Sequence, residues 1–190
     1  MTLDLKNQII IVATDLFMKQ GYTATSTRQI ATILQVSQPA IYHHFKNKEE
    51  IYTSVLTRFA IDVGSRLQLI LKEPKSKRDV LVTMSHFLKD HHPMNLSLMM
   101  HDLKNSLSTE TEKEIFIIWK EYYFSPFIEY FESIKSSIVP NLSTLVVSQH
   151  FLRILSSYIS ETYSNNTSSL ILIDDMVDIF LRGVTNNELE

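Results

Sequence analysis

Residues 25–52 read TSTRQIATILQVSQPAIYHHFKNKEEIY, and this segment predicts two short helices joined by a tight turn. The first helix is expected over 27–34, where apolar side chains recur at helical spacing. The second is expected over 38–44, with Ser37 as its cap. Pro39 falls in the first turn of that helix, where a missing N–H costs nothing. The segment therefore predicts a helix-turn-helix.

The second helix of such a motif can lie in the major groove of DNA. Gln38 is suited to reading base edges, and Pro39 and Ala40 can contact a thymine methyl group. Other side chains in or near the motif are of types that contact phosphates or approach bases. These complete the predicted DNA-binding set: Thr27, Arg28, Tyr42, His43, Lys46 and Lys48.

The N-terminal quarter of the chain contains a characteristic set of residues: Ala13, Leu16, Phe17, Gly21, Tyr22, Thr25, Ile30, Ala31, Val36, Ser37, Ile41, Tyr42, His44, Phe45 and Lys48. With this set, the segment resembles the DNA-binding domain of the TetR family of bacterial transcriptional regulators. The resemblance implies an all-α fold of about nine helices, with a three-helix helix-turn-helix domain first. That domain is expected over 1–47, and a helical effector-binding and dimerisation domain over 48–190.

The chain departs from the family pattern at Gln35. Members commonly have glycine just before the Val-Ser pair, where the turn often needs a positive φ. We expect either about 1 kcal/mol of turn strain at Gln35 or a slightly different turn.

The composition favours an all-α fold and argues against several other classes. Only three glycines and five prolines are available for turns, whereas 44% of the residues are hydrophobic. The absence of cysteine suits a reducing compartment, so a cytoplasmic location is expected. The N-terminus, MTLDLKNQ, does not have the pattern of a signal peptide. No apolar run reaches the length of a membrane span.

Charge is distributed unevenly along the chain. Residues 1–60 carry six Lys or Arg against four Asp or Glu, whereas residues 61–190 carry twelve against seventeen. This asymmetry predicts a DNA surface in the N-terminal part. Because the excess of positive charge is small, tight binding is expected to need a dimer.

Helical periodicity continues on both sides of the motif. A first helix over 3–20 is expected to end at Gly21 in a left-handed conformation. Later helices are predicted over 48–71, 78–90, 96–107, 110–138 with a kink at Pro126, 142–163 and 170–183.

The segment 110–138 is the most aromatic part of the chain. In the family this region helps to line a ligand pocket, and aromatic and methionine side chains suit a small lipophilic or aromatic effector. Ordinary core packing is the alternative for each of these side chains. The predicted ligand-binding residues are Met99, Trp119, Tyr122, Tyr123 and Phe127.

The last two predicted helices are too apolar for packing on one side only. In the family, the corresponding helices of two subunits form a four-helix dimer interface. The predicted interface residues are Phe151, Leu155, Tyr158, Met176, Val177 and Phe180.

Residue patterns of catalysis and metal binding are missing from the sequence. It contains no phosphate loop, no Gly-x-Ser-x-Gly and no His-Glu-x-x-His. Zinc sites usually need three or four ligands at organised spacing. Five histidines were considered as ligands and do not meet that requirement: His86, His91, His92, His101 and His150. We therefore expect no enzyme activity, no metal and no cofactor.

The sequence favours a homodimeric, ligand-responsive transcriptional regulator that binds a palindromic DNA operator. The resemblance makes a repressor released by its effector the leading hypothesis. The alternative is an all-α small-molecule binding protein whose helix-turn-helix is not used for DNA binding.

Overall fold

The computed structural model describes residues 4–91, 96–161 and 172–186, and these are predominantly helical. The α-helices are α1 Leu5–Ala24, α2 Thr27–Leu34, α3 Gln38–His44, α4 Lys48–Leu71, α5 Lys77–His91, α6 Leu96–Asn105, α7 Thr109–Trp119, α8 Ser125–Ser133, α9 Thr144–Glu161 and α10 Ile173–Val184. A π-helical turn, Lys120–Phe124, joins α7 to α8 without a gap. If these segments are counted as one continuous helix, the described residues form nine helices.

The predicted all-α fold is confirmed. In the described parts of the chain, the only β pairing is an isolated bridge between Ile138 and Thr185. None of the helices in those parts has the length and apolar character needed to cross a membrane.

The chain packs into two compact units. The first contains residues 1–60 and 93–119, and the second contains residues 61–92 and 120–190. This division by packing differs from the predicted functional boundary at 47/48, because α6 and α7 belong to the first unit.

The first unit is built around the helix-turn-helix. On α1, the buried side chains Ile9, Ala13 and Phe17 follow helical spacing and form its inner face, and α1 contacts both α2 and α6. Ile41 and Phe45 bury the inner side of α3. The buried face of α3 leaves its polar residues on the outside, as the sequence predicted.

The turn between α2 and α3 has the positive φ that the family pattern suggested. Gln35 lies in the left-handed region at φ 56° and ψ 38°. The Val36 N–H donates to the Ala31 carbonyl at 3.0 Å, and the Gln35 N–H donates to the Thr32 carbonyl at 3.2 Å. This is the hydrogen-bond pattern of a Schellman motif, in which glycine is the usual left-handed residue.

Replacement of Gln35 by glycine is expected to stabilise the protein. A glycine adopts this φ without steric cost, so we expect a gain of about 0.5–1 kcal/mol in the free energy of unfolding. Gln35→Ala is the matched control, because alanine carries the same left-handed strain. Urea denaturation of the three proteins checks this, and a Gln35→Gly variant no more stable than Gln35→Ala would contradict the explanation.

The helices of the motif and the following helix α4 are capped in different ways. Ser26 and Gln29 form a full capping box at the start of α2. Asn47 caps α4 by accepting the N–H of Glu50 at 2.8 Å, whereas the Glu50 carboxylate accepts the N–H of Lys46. Ser37 precedes α3, but its side chain makes no capping hydrogen bond. Ser37 is therefore the cap residue of α3 by position only.

The second unit has an aromatic core. The Phe151 ring lies 5.8 Å from Phe127, 5.7 Å from Phe131 and 5.1 Å from Phe180, measured between centroids. At the edge of this core, Arg78 of α5 makes two hydrogen bonds to Asp178 of α10, at 2.5 and 2.9 Å. These contacts help to hold α10 against α5.

The expected kink at Pro126 takes the form of the π-helical turn that precedes it. Pro126 lacks an N–H and cannot donate to the Tyr122 carbonyl four residues earlier. The chain instead adopts the five-residue repeat of a π turn. The Tyr122 carbonyl lies close to Gly64 of α4, so a Cβ added at Gly64 would be 2.2 Å from the carbonyl oxygen. Glycine permits this close approach of two backbones.

Candidate nucleic-acid interface and subunit surface

The outer face of α3 presents most of the predicted DNA-binding residues to solvent. Pro39 and His43 are exposed, and Gln38 and Ala40 are partly exposed. Tyr42 is 45% exposed, a large fraction for an aromatic side chain. The helix thus combines a buried apolar side with an accessible polar side, as a major-groove reading helix requires.

Three side chains form a hydrogen-bonded group at the junction of α2 and α3. The Gln38 amide donates to Thr27 Oγ1 at 2.9 Å, and the hydroxyls of Thr27 and Tyr42 lie 3.1 Å apart. Thr27 is 5% exposed. Thr27 therefore orients Gln38 and Tyr42 in this structure.

The predicted cationic residues differ in their surroundings. Arg28 and Lys46 are exposed at the ends of this surface. Lys48 is only partly exposed, and its Nζ donates to the carbonyls of Tyr22 at 2.8 Å and Thr25 at 3.0 Å. The same ammonium lies 4.0 Å from the centroid of the Tyr22 ring. Arg28 and Lys46 are thus accessible cations, whereas Lys48 is bound to the α1–α2 junction.

The five predicted ligand-binding residues fall into two groups. Met99 and Trp119 are buried in the first unit. Tyr123 and Phe127 are buried in the second unit, where Tyr122 is 38% exposed. Burial raises the pKa of the Tyr123 hydroxyl above its ordinary value. Phe127 packs in the aromatic core, so ordinary core packing, the alternative reading, describes this side chain.

The predicted dimer residues require correction. Phe151, Leu155 and Val177 are fully buried within the protomer, and Met176 is 4% exposed. Tyr158 and Phe180 are partly exposed. The buried four cannot form a contact surface, because they already pack inside their own chain. Apolar character at these four positions reflects packing within the protomer, whereas Tyr158 and Phe180 stay predicted interface residues.

A different set of residues on α9 and α10 is exposed. These apolar side chains are Leu145 at 45%, Val146 at 40%, Ile154 at 41% and Ile179 at 70% exposure. Polar side chains between them include His150 and Arg153 on α9 and Asp175 and Arg182 on α10. We call the exposed sides of these two helices the α9–α10 face. The sequence pattern could have indicated this face, because its residues alternate at helical spacing with the buried residues of the same helices.

Two of the histidines make local contacts in the described part of the chain. Among the residues that the structure describes, no group of three or more His, Asp or Glu side chains could hold a metal ion. His86 Nε2 lies 2.6 Å from Asp174 Oδ1, which links α5 to α10. His91 stacks on Phe87. His92 lies outside the described residues.

Comparison with known proteins finds related chains. Residues 9–55 match the family described as bacterial regulatory proteins, tetR family. The HTH-type transcriptional regulator QacR of Staphylococcus aureus is 41% identical over 54 residues, which cover 28% of this chain and 29% of QacR. The HTH-type transcriptional repressor KstR2 of Rhodococcus jostii is 25% identical over 108 residues, which cover 55% of this chain and 53% of KstR2. The chain thus matches about a third to a half of the length of these relatives.

A solved structure matches over nearly the whole chain. It is the transcriptional regulator FadR from Bacillus subtilis in complex with stearoyl-CoA, with a TM-score of 0.74 and 21% identity. The match covers 95% of this chain and 97% of FadR, and at this identity it establishes a common fold. The relatives are named as regulators and none of those cited is an enzyme. With the helix-turn-helix observed at residues 27–44, these findings show that the N-terminal part of the chain, residues 9–55, matches the tetR family of bacterial regulatory proteins.

Proposed function

We propose that this protein is a DNA-binding transcriptional regulator, a repressor that binds a palindromic operator as a homodimer. The observation that carries the proposal is the accessible polar side of α3, backed by the buried core of the helix-turn-helix. Gln38, Tyr42 and His43, with Arg28 from α2, would read or approach bases. Lys46 would hold a phosphate, because its side chain is exposed next to α3.

The α9–α10 face supports the homodimer. Exposed apolar side chains on two adjacent helices are suited to a symmetric contact between identical subunits. His150 and Arg153 on α9 could pair with Asp175 on α10 of the second copy, since a two-fold axis brings unlike parts of the face together. Such a dimer presents two recognition helices to successive major grooves, about 34–36 Å apart.

A small lipophilic or aromatic effector would release the DNA. The partly exposed Tyr122 and the neighbouring Tyr123 of the second unit support a ligand of this class. The effector can shift the equilibrium between a DNA-binding state and a non-binding state of the dimer. The size of this shift is limited by the difference between its affinities for the two states. A cytoplasmic location follows from this proposal, because the operator is there.

Selection from a random library of duplexes tests the proposed function. The wild-type protein is expected to enrich an inverted repeat, and the Gln38→Ala variant is expected to lose discrimination at one position in each half-site. The lost base contact corresponds to about 1–3 kcal/mol of discrimination. The slope of affinity against salt should stay unchanged, because Gln38 carries no charge. Failure of the wild-type protein to enrich any sequence would contradict the proposal.

A further inference from the structure

The backbone N–H and C=O groups of Tyr22 are each bound by a charged side chain. Gly21 interrupts α1 with φ 80° and ψ 175°, a conformation that is essentially restricted to glycine. One helical turn, residues 22–24, follows the interruption. The Tyr22 N–H donates to Oδ2 of Asp102, a residue of α6, at 2.8 Å. Asp102 therefore caps a helical turn 80 residues away in sequence.

Lys48 holds the other side of the same residue. Its ammonium donates to the Tyr22 carbonyl at 2.8 Å and to the Thr25 carbonyl at 3.0 Å. The Tyr22 ring covers a third side of the ammonium at 4.0 Å from its centroid. Burial lowers the pKa of Lys48, and the Asp102 carboxylate opposes that shift. The opposing effect is consistent with Asp102 and Lys48 lying near each other on either side of the Tyr22 backbone.

The packing around Tyr22 makes this junction a defined part of the first unit. Its ring lies 5.1 Å from Tyr52 and 6.1 Å from Phe17, measured between centroids. Tyr52 is fully buried, and Asp102 is 3% exposed. The Asp102 charge also raises the pKa of Tyr52, after the larger effect of burial. The buried carboxylate of Asp102 and the partly buried ammonium of Lys48 thus both make hydrogen bonds to the backbone of the short segment 22–25.

We propose that Lys48 is a positioning residue for DNA binding, which acts with Asp102 through the backbone of Tyr22 and does not itself contact a phosphate. This inference rests on the proposed DNA-binding function. It replaces the phosphate role that the sequence predicted for Lys48. The geometric reason is that two carbonyls and an aromatic ring surround the ammonium. We call the hydrogen bonds of Asp102 and Lys48 to the Tyr22 backbone the clamp. The clamp fixes the connection between α1 and α2, and α2 and α3 form the proposed DNA-binding surface.

The salt dependence of DNA binding separates positioning from phosphate contact. Lys46→Met is the matched control, since Lys46 is exposed and lies two residues away. It should reduce the slope of log affinity against log salt by about 2 per dimer, one for each subunit. Lys48→Met should weaken binding on the order of tenfold, as expected for a lost charged hydrogen bond, with little change in this slope. An equal loss of slope in both variants would overturn the inference while leaving the proposed function intact.

A second variant tests the connection through Tyr22. Asp102→Asn keeps the shape of the side chain and removes its charge. If Lys48 and Asp102 both act through the backbone of Tyr22, the effects of Lys48→Met and Asp102→Asn on DNA affinity will be non-additive in the double variant. The Tyr22 amide signal in the nitrogen–proton NMR spectrum should shift in both single variants. Additive effects, or a Tyr22 signal unmoved by Asp102→Asn, would contradict the clamp. Wild-type protein that binds no DNA would instead refute the proposed function.

Discussion

Ile179→Asp is expected to convert the protein from a dimer to a folded monomer. Ile179 is 70% exposed on α10, so its replacement leaves the core of its own protomer intact. In a symmetric dimer the substitution places two charges in the apolar centre of the contact, where a buried unpaired charge is costly. Since the operator would be bound through two linked half-sites, affinity should fall on the order of 100-fold. Native mass spectrometry and a DNA titration measure both effects.

Leu69→Asp is the matched control for this substitution. Leu69 is 61% exposed on α4 and lies outside the α9–α10 face. The Leu69→Asp variant should remain dimeric and keep its DNA affinity. Circular dichroism verifies that both variants are folded. If Ile179→Asp were still dimeric at micromolar concentration, the subunit contact would have to lie elsewhere.

Gly64→Ala is expected to cause a large loss of stability. Alanine in place of glycine within a helix normally stabilises by about 1 kcal/mol. Here the added Cβ would be 2.2 Å from the Tyr122 carbonyl oxygen, and both groups belong to backbone. Relief of this overlap must displace the π turn from α4. We expect a loss of about 3 kcal/mol in the free energy of unfolding.

Gly183 provides the control for that experiment. It also lies in a helix, and a Cβ at this position would have no heavy atom within 4 Å. Gly183→Ala should therefore be neutral or stabilising by up to about 1 kcal/mol. Thermal unfolding at one fixed protein concentration compares the two variants. A Gly64→Ala protein as stable as Gly183→Ala would show that α4 and the π turn separate easily.

Local sequence patterns predicted the helix-turn-helix well. The bounds of α2, α3 and α4 agree with the observed helices because caps, Pro39 and apolar spacing act within a few residues. The positive φ of Gln35 was also anticipated, although only from the family pattern. In these cases the determining interactions are close together in the sequence.

Contacts between distant residues were not predictable in the same way. No local pattern links Asp102 to Tyr22 or Gly64 to Tyr122, since these pairs meet only when the helices pack. The role assigned to Lys48 came from its position in the family pattern, and the carbonyls that surround it are visible only in the fold. The dimer residues illustrate a related limit. Hydrophobicity alone does not distinguish a side chain buried in its own protomer from one that a partner covers.

The most direct test of the central proposal combines native mass with fluorescence anisotropy. The purified protein would be titrated onto labelled DNA from just upstream of its own gene, at two salt concentrations. We predict a dimer that binds this DNA tightly, with an affinity that falls steeply as salt rises. A protein that ignores this DNA and random DNA alike at low salt would contradict the account. The helix-turn-helix would then be an unused scaffold in an all-α small-molecule binding protein.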